Sequence, residues 1–545
     1  MKTSSIKSRF ASVLLIITVI FTMSFAAAPA AFAADQLDAA DQTLIVDAKA
    51  PVTVKGYNAS YTYNTYISIR DVAAALNGTS RQFNVTYDEK EKMFNLEPGK
   101  AYEPVGGENA CGDGISVDLS SAGWDLNING KFVRYYIYEK GQDFYIKLVD
   151  LSLALGLNIE YVSTNQLKID TAKDFIIDIN QLDEDGYFSF LDGTILGNST
   201  TGEILYESKA DNKTAIASTT KLMTYLLVME AIDAGKISMN DTVTISKAVE
   251  KESKSEDHVI PMTEGQKASM QDLLEGMLVP SSNECALALA EHVAGSEAEF
   301  VKLMNQKAKQ LGLKTAVFYN PHGLPNYSAS AVTSKRQNSM SARDMFTLAS
   351  YVMKKYPKIT EITSMEDISL TTLNYEDSNT NPLLYNTEGV VGLKTGTTNR
   401  AGCCLVSVLP IKVNGKTQNI IAVEFGAESS AERGEKSQIL LQYAQQYYAA
   451  KADVNATKLK VSASAKKGSV TVSWNKNEKA DGYQVYRSTK KASGFKSIKT
   501  TIKTSLKNTS VKKGSKYFYK VRAYKTVGGE KFYSSWSNVA SVTAK

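Results

Sequence analysis

Ser218 and Lys221 stand three residues apart in Ala217-Ser218-Thr219-Thr220-Lys221-Leu222-Met223-Thr224, at the head of an apolar run through Leu226, Leu227 and Met229. On a helix this spacing puts both side chains on one face. A serine hydroxyl is a weak nucleophile until a neighbour takes its proton, and a lysine of depressed pKa can take it. The helix N-terminus offers a free backbone N–H beside Ser218 for a developing oxyanion. Alone the tetrad carries little information, because Ser464-Ala465-Lys466-Lys467 and Ser493-Gly494-Phe495-Lys496 also fit S-x-x-K.

Two further elements follow in order. Leu278-Val279-Pro280-Ser281-Ser282-Asn283-Glu284-Cys285-Ala286 holds an S-x-N element at the expected mouth of another helix, and Val391-Gly392-Leu393-Lys394-Thr395-Gly396-Thr397 reads as a strand ending in K-T-G. S-x-x-K, S-x-N and K-T-G in this order resemble the set found in serine D,D-peptidases and the related β-lactamases. The chain between them is similar to the D-alanyl-D-alanine carboxypeptidase family (low-molecular-mass penicillin-binding proteins, peptidase family S11). Thr201-Gly202-Glu203-Ile204-Leu205-Tyr206, Asn320-Pro321-His322-Gly323-Leu324, Ala401-Gly402 after K-T-G, and Arg433 ahead of Leu440-Leu441-Gln442-Tyr443 carry that likeness. It spans residues 186–450 and implies an α/β penicillin-binding/β-lactamase-like peptidase domain, an antiparallel sheet with helices.

The resemblance implies roles. Ser218 attacks the carbonyl of a D-Ala–D-Ala bond to give an acyl-enzyme, with Lys221 as base. Lys394 adds positive charge that disfavours protonated Lys221 and attracts the substrate carboxylate. Ser281 relays a proton to the leaving amine, and Asn283 binds the peptide backbone or orients Lys221. The N–H groups of Ser218 and Thr397 form the oxyanion hole. Gly396 and Thr397 belong to the substrate-binding strand, and Thr395 and Arg433 meet the free carboxylate, since an exo-acting enzyme must recognise a chain end. The implied partners are peptidoglycan stem peptides and, as covalent inhibitors, β-lactam antibiotics, in peptidoglycan biosynthesis and cell-shape control.

Two alternatives stay open: a β-lactamase, and a non-catalytic wall-binding module on the same fold. Against the first, no E-x-x-L-N lies between Asn283 and Lys394, and Leu370 stands where the glutamate would precede Leu373-Asn374. The histidines are His258, His292 and His322. None sits beside a serine in a recognised elbow, which disfavours a Ser-His-Asp triad, and His322 reads as part of a turn. Cys285 and Cys404 read as buried small hydrophobes, and Glu284 receives no catalytic assignment. No CxxC or Cys/His cluster occurs, so no metal or cofactor is expected.

These residues need a scaffold, and the chain around them reads as multidomain. With 545 residues, 43% hydrophobic and 22% charged, it is globular in composition and too long for one ordinary core. Lys2, Lys7 and Arg9, an apolar run from Ala11 to Phe25 and Ala31-Phe32-Ala33 read as a cleaved signal peptide over 1–33, which makes the protein secreted and wall-associated. Over 42–171, Tyr66-Ile67-Ser68-Ile69-Arg70-Asp71-Val72 is echoed by Tyr145-Ile146-Lys147-Leu148-Val149-Asp150-Leu151. Each copy predicts an extended segment running into a helix, then a strand at Phe83–Tyr87 or Asn158–Val162. This α+β repeat resembles the copper-amine-oxidase N-terminal-like domain, with a spacer or wall-binding role and no copper chemistry.

Residues 456–545 predict an all-β sandwich, with alternating strands at Val470–Trp474, Tyr483–Arg487 and Tyr517–Ala523. It resembles fibronectin type III, with Trp474 as core aromatic and Tyr517 as corner tyrosine. The whole chain carries +5, but Lys451 to Lys545 holds 20 Lys and 2 Arg against 2 Asp and 2 Glu, a local +18. This basic end points to an anionic wall polymer or to simple solubility, and nucleic acid is not an expected partner. Family members often end in an amphipathic membrane helix. Val539 to Lys545 is too short for one, so retention at the envelope is expected to rest on the N-terminal domain or the basic tail.

Overall fold

The computed structural model describes residues 36–545 apart from 60–64, 89, 91–92, 109–116, 119–123, 141–142, 164, 185, 256–258, 326–335 and 414. The expected signal peptide and His258 lie outside the described residues. Among the described residues no helix is long and apolar enough to cross a membrane. The chain divides into two compact units, Met1–Phe175 and Ile176–Lys545.

In the first unit the repeat is visible as structure. Strand Thr65–Ser68 runs into helix Ile69–Leu76, where the Ser68 side chain accepts the Asp71 N–H and caps the helix. Strand Asp143–Lys147 runs into helix Leu148–Leu155, which Gly156 closes in the left-handed conformation at φ 64°. Strands Phe83–Asp88 and Leu157–Ser163 follow. The two copies pair antiparallel with Ile67 opposite Ile146. These are equivalent residues of the repeat, so the contact is self-complementary, the isologous geometry of a twofold dimer built within one chain. Ile67, Ile69, Val72, Ile146, Leu148 and Leu151 share one core, so each copy buries the apolar face of the other.

The second unit is built on a five-stranded antiparallel sheet. Its strands are β1 (Gly193–Asn198), β2 (Glu203–Ser208), β3 (Leu393–Thr398), β4 (Gly402–Val413) and β5 (Lys416–Ala427), in the spatial order β2-β1-β5-β4-β3. Successive side chains of a strand point to opposite faces. Along β5, Ile421, Val423 and Phe425 join a helical core with Leu222, Leu226, Leu289 and Met345. Glu424 points the other way and accepts the Ser437 hydroxyl at 2.9 Å, which places the long helix α3 (Ser430–Asn455) on that face. Two helices on the opposite side bear on the site: α1 (Lys221–Asp233) and α2 (Asn283–Ala294).

Beyond α3 the chain is all β. One sheet comprises β6 (Val461–Lys466), β7 (Ser469–Trp474) and β10 (Ser505–Asn508). The other comprises β8 (Gly482–Ser488), β9 (Lys496–Thr501), β11 (Lys516–Val527), β12 (Glu530–Tyr533) and β13 (Ala540–Thr543). Val470, Val472 and Trp474 of the first sheet meet Tyr483, Val485, Tyr519 and Val521 of the second in one core. Trp474 stands edge-on to Tyr483, ring centroids 5.5 Å apart. The Tyr517 hydroxyl accepts the Lys512 N–H at 2.9 Å, tying the start of β11 to the backbone just upstream.

This β region packs directly on the last turns of α3. Phe532 stacks edge-on to Tyr447 at 4.7 Å, and Lys525 pairs with Asp453 at 3.1 Å. Gly528 (φ 58°) closes the contact, because a Cβ there would lie 2.5 Å from the Tyr443 ring. Removing the corner hydroxyl should be felt within the β region alone. Tyr517→Phe is expected to lower the stability of that region by about 1 kcal/mol, read as a lower urea midpoint in the full chain; an unchanged midpoint would mean that water replaces the bond at no cost.

Candidate active site

Ser218 lies in a 3-10 turn, Ala217–Thr220, that runs directly into α1. The turn is entered through Ala217 at φ 45°, a left-handed conformation that costs a non-glycine residue energy. The loop Asn320–Leu324 braces it. Gly323 sits so close that a Cβ would fall 1.9 Å from the Ala217 carbonyl oxygen, so only glycine fits.

Lys221 is fully buried. Its Nζ lies 2.8 Å from Ser218 Oγ, 2.8 Å from Asn283 Oδ1, 3.1 Å from the His322 carbonyl oxygen and 3.5 Å from Ser281 Oγ. Asn283 and the carbonyl can only accept from Nζ through their oxygens. A neutral amine therefore gives its two N–H bonds to them and turns its lone pair toward the Ser218 hydroxyl, the arrangement of a general base. Burial pushes Lys221 down to about 7, partly opposed by the negative charge of Glu284. Lys394, also buried, is held well below its ordinary value by burial and then by the charges of Lys221 and Arg433.

The Ser281–Asn283 segment is held under tension. Ser281 is left-handed at φ 75° without being glycine. Ser282 donates its N–H to the Gly276 carbonyl, and its hydroxyl caps α2 by accepting the Cys285 N–H at 3.0 Å. The same hydroxyl donates to Glu284 Oε2 at 2.5 Å, while Glu284 Oε1 accepts the Val259 N–H at 2.8 Å. Glu284 is wholly buried. A carboxylate assigned no part from sequence thus clamps the S-x-N turn and stands as the largest negative influence on Lys221.

β3 is an edge strand beside the serine turn. Gly396 permits the approach, since a Cβ there would lie 2.8 Å from the Ser218 backbone nitrogen and 3.0 Å from Ala217 Cβ. Thr395 Oγ1 is 2.5 Å from Thr380 Oγ1 and 3.5 Å from Lys394 Nζ. Thr397, exposed, accepts from Arg433 Nη1 at 3.1 Å, and Arg433 Nη2 donates to Ser430 Oγ at 2.7 Å. Arg433 is 4% exposed and its Nε is buried with no protein partner. The Lys394 amine and the Arg433 guanidinium therefore bracket Thr395–Thr397, a setting suited to a carboxylate.

The structure so gathers Ser218, Lys221, Ser281 and Asn283 into one hydrogen-bonded cluster, with Lys394, Thr395, Gly396, Thr397 and Arg433 along its sheet side. The His322 carbonyl, Thr380 and Glu284 were not legible as parts of it. The His322 ring accepts the Leu324 N–H through Nδ1, and burial drives it down to about 3, so it stays neutral. Cys285 and Cys404 are buried, and burial pushes both thiols upward.

Residues 192–429 match the family model described as D-alanyl-D-alanine carboxypeptidase, peptidase S11. The chain is 37% identical over 259 residues to the D-alanyl-D-alanine carboxypeptidase DacF of Bacillus subtilis, covering 47% of this chain and 62% of that protein. It is 30% identical over 235 residues to a D-alanyl-D-alanine endopeptidase of Pseudomonas aeruginosa, covering 42% of this chain and 70% of that protein. Among solved structures, ampicillin-bound penicillin-binding protein D2 of Listeria monocytogenes is 28% identical, with a TM-score of 0.40, over 46% of this chain and 96% of that one. The chain thus spans less than two thirds of the length of its first curated relative.

A base buried this way gives a pH signature. Acylation of Ser218 by benzylpenicillin, followed by intact mass, should rise with pH through about 7 as Lys221 loses its proton. The other titratable groups around Lys221 are Lys394, His322, Cys285 and Glu252. Removing the negative charge with Glu284→Gln favours neutral Lys221 and should move this acid limb to lower pH, whereas Glu284→Asp should keep it in place. An unmoved limb in Glu284→Gln would reduce Glu284 to a clamp.

Proposed function

Because the chain belongs to the D-alanyl-D-alanine carboxypeptidase family, peptidase S11, we propose that it is a serine D,D-carboxypeptidase that removes the terminal D-Ala from peptidoglycan pentapeptide stems. The observation that carries this reading is the buried Lys221 amine aimed at Ser218 Oγ at 2.8 Å, next to the Lys394 amine and the Arg433 guanidinium, which can meet a chain-end carboxylate.

The steps follow from the contacts. The substrate lies as an extended strand along the edge of β3. Its terminal carboxylate is drawn to Lys394, Thr395 and Arg433, displacing the Arg433–Thr397 bond. Ser218 Oγ attacks the carbonyl carbon of the D-Ala–D-Ala bond while its proton passes to Lys221 Nζ. The resulting oxyanion faces the N–H groups of Ser218 and Thr397, and losing one such donor typically costs about 10²–10³ in rate. The C–N bond then breaks, with the proton passing from Lys221 through Ser281 to the departing amine of D-Ala. In the second half a water attacks the acyl carbonyl with Lys221 as base, and Ser218 recovers its proton. In a β-lactam the ring nitrogen stays tethered after attack, so the adduct lingers and inhibits.

Glu284 has both oxygens engaged in hydrogen bonds, which favours slow β-lactam turnover over lactamase activity. The leader over 1–33, the repeat over 42–171, the peptidase over 186–450 and the fibronectin-like sandwich over 456–545 complete the reading of a secreted, wall-associated enzyme. The basic sandwich is its contact with anionic wall polymer.

Wild type treated with benzylpenicillin should carry one stable adduct and Ser218→Ala none. Rapid drug hydrolysis would instead favour a β-lactamase, and no adduct with intact drug a binding module. Arg433→Gln should lower kcat/KM on a D-Ala–D-Ala peptide by about 10–100-fold, the loss of a charge-assisted bond. A substrate amidated at its C-terminus should not register that difference.

A further inference from the structure

The outer face of the β8-β11 sheet carries cations laid over aromatic rings. Along β11 the inward residues Tyr517, Tyr519, Val521 and Ala523 fill the core, so Lys516, Phe518, Lys520, Arg522 and Tyr524 point outward. The segment after β12 is stitched to this strand by two serines. Ser534 Oγ accepts the Ala523 N–H and Ser537 Oγ accepts the Val521 N–H, each at 2.9 Å. Between them Trp536 is laid across the outward row. Its ring lies 3.8 Å from Lys520 Nζ and 4.8 Å from the Arg522 guanidinium. The same guanidinium lies 3.7 Å over Tyr533, and Lys520 also lies 4.7 Å from Phe495.

A ring holds a cation in place but does not neutralise it. Neither Lys520 nor Arg522 has a carboxylate within ion-pair distance among the described residues. Among the described residues the only side-chain acceptor of Arg522 is the neutral Gln484 Oε1, at 2.8 and 3.0 Å. The four acids of this region are placed elsewhere. Asp453 pairs with Lys525, Glu478 pairs with Lys476, Asp481 accepts the Thr526 N–H, and Glu530 stands at the β11–β12 hairpin. The local charge of +18 thus includes two half-buried, fixed and unneutralised cations, beside a Trp536 ring that is 37% exposed.

We propose that Lys520, Arg522 and Trp536 form a binding site for a linear phosphodiester polymer of the cell wall. Outward residues of one strand recur about every 7 Å, so the site is a single row one strand wide, which suits a chain of regularly spaced charges better than a flat anionic surface. The exposed ring offers an apolar platform for the polyol or sugar between phosphates. This deepens the polymer contact proposed above, and it depends on none of the peptidase residues.

The test uses full-length protein and purified wall sacculi, before and after acid extraction of their phosphodiester polymers. Wild type should bind intact sacculi with a strong salt dependence and bind extracted sacculi at least about tenfold more weakly. Lys520→Gln with Arg522→Gln should lose about tenfold on intact sacculi and show a shallower salt slope, while Lys503→Gln, an exposed lysine away from the row, should not. Trp536→Leu should weaken binding without changing that slope. Penicillin labelling of Ser218 should be the same in every variant, which separates this result from failure of the peptidase reading, and an unchanged urea midpoint of the β region reports its intact fold. Equal binding by wild type and the Lys520/Arg522 variant, equal loss in Lys503→Gln, undiminished binding to extracted sacculi, or equally tight binding to phosphatidylglycerol vesicles would each overturn the proposal.

Discussion

Everything around Ser218 is subordinate to one constraint: the Lys221 amine must be buried, uncharged and fixed. Burial supplies the depressed pKa, but an amine taken out of water still needs partners. Those partners come from three separate stretches of chain, the Ser218 turn, Asn283 at the head of α2 and the carbonyl of His322. Each stretch accepts an unfavourable local geometry to deliver its atom. Ala217 and Ser281 are left-handed without being glycine, and the His322 loop reaches the turn only through Gly323. The surrounding core, dense with α1 and α2, is what holds these conformations in place.

The electrostatics are arranged with the same economy. Three nitrogen bases, Lys221, Lys394 and Arg433, converge on one buried region, where burial and then the charges of Lys221 and Arg433 hold Lys394 well below its ordinary value. Glu284 opposes the matching downward drift of Lys221 in part. Its two hydrogen bonds tie it to the backbone of Val259 and to the hydroxyl of Ser282, so the same carboxylate that moderates the charge also shapes the turn.

Eight of the nine proposed site residues were readable from three short motifs, S-x-x-K, S-x-N and K-T-G with the threonine after it, whereas Arg433 was readable only through the family resemblance. The strands of the β region were equally legible, since alternation at Val470–Trp474 and Tyr517–Ala523 reflects one buried and one open face. The partners of these residues were not. The His322 carbonyl is main chain and leaves no trace in residue type. Thr380 meets Thr395 only through tertiary folding. Glu284 left one sign, a charge heading an otherwise apolar stretch of α2, and its meaning depended on Val259 arriving from another loop. Gly528 likewise reads as a turn glycine, whereas its reason is the Tyr443 ring packed against it.

The helix α3 carries Arg433 in its first turn and holds the β region with Tyr443, Tyr447 and Asp453 in its last turns, without a break over 26 residues. Such a connection has no slack. A single residue gained or lost in its middle would turn one end by about 100° and shift it about 1.5 Å relative to the other, parting either the guanidinium from β3 or Phe532 from its stack. Within α3 the chain can therefore change in residue type but not in length, and heritable variation in reach has to arise outside it.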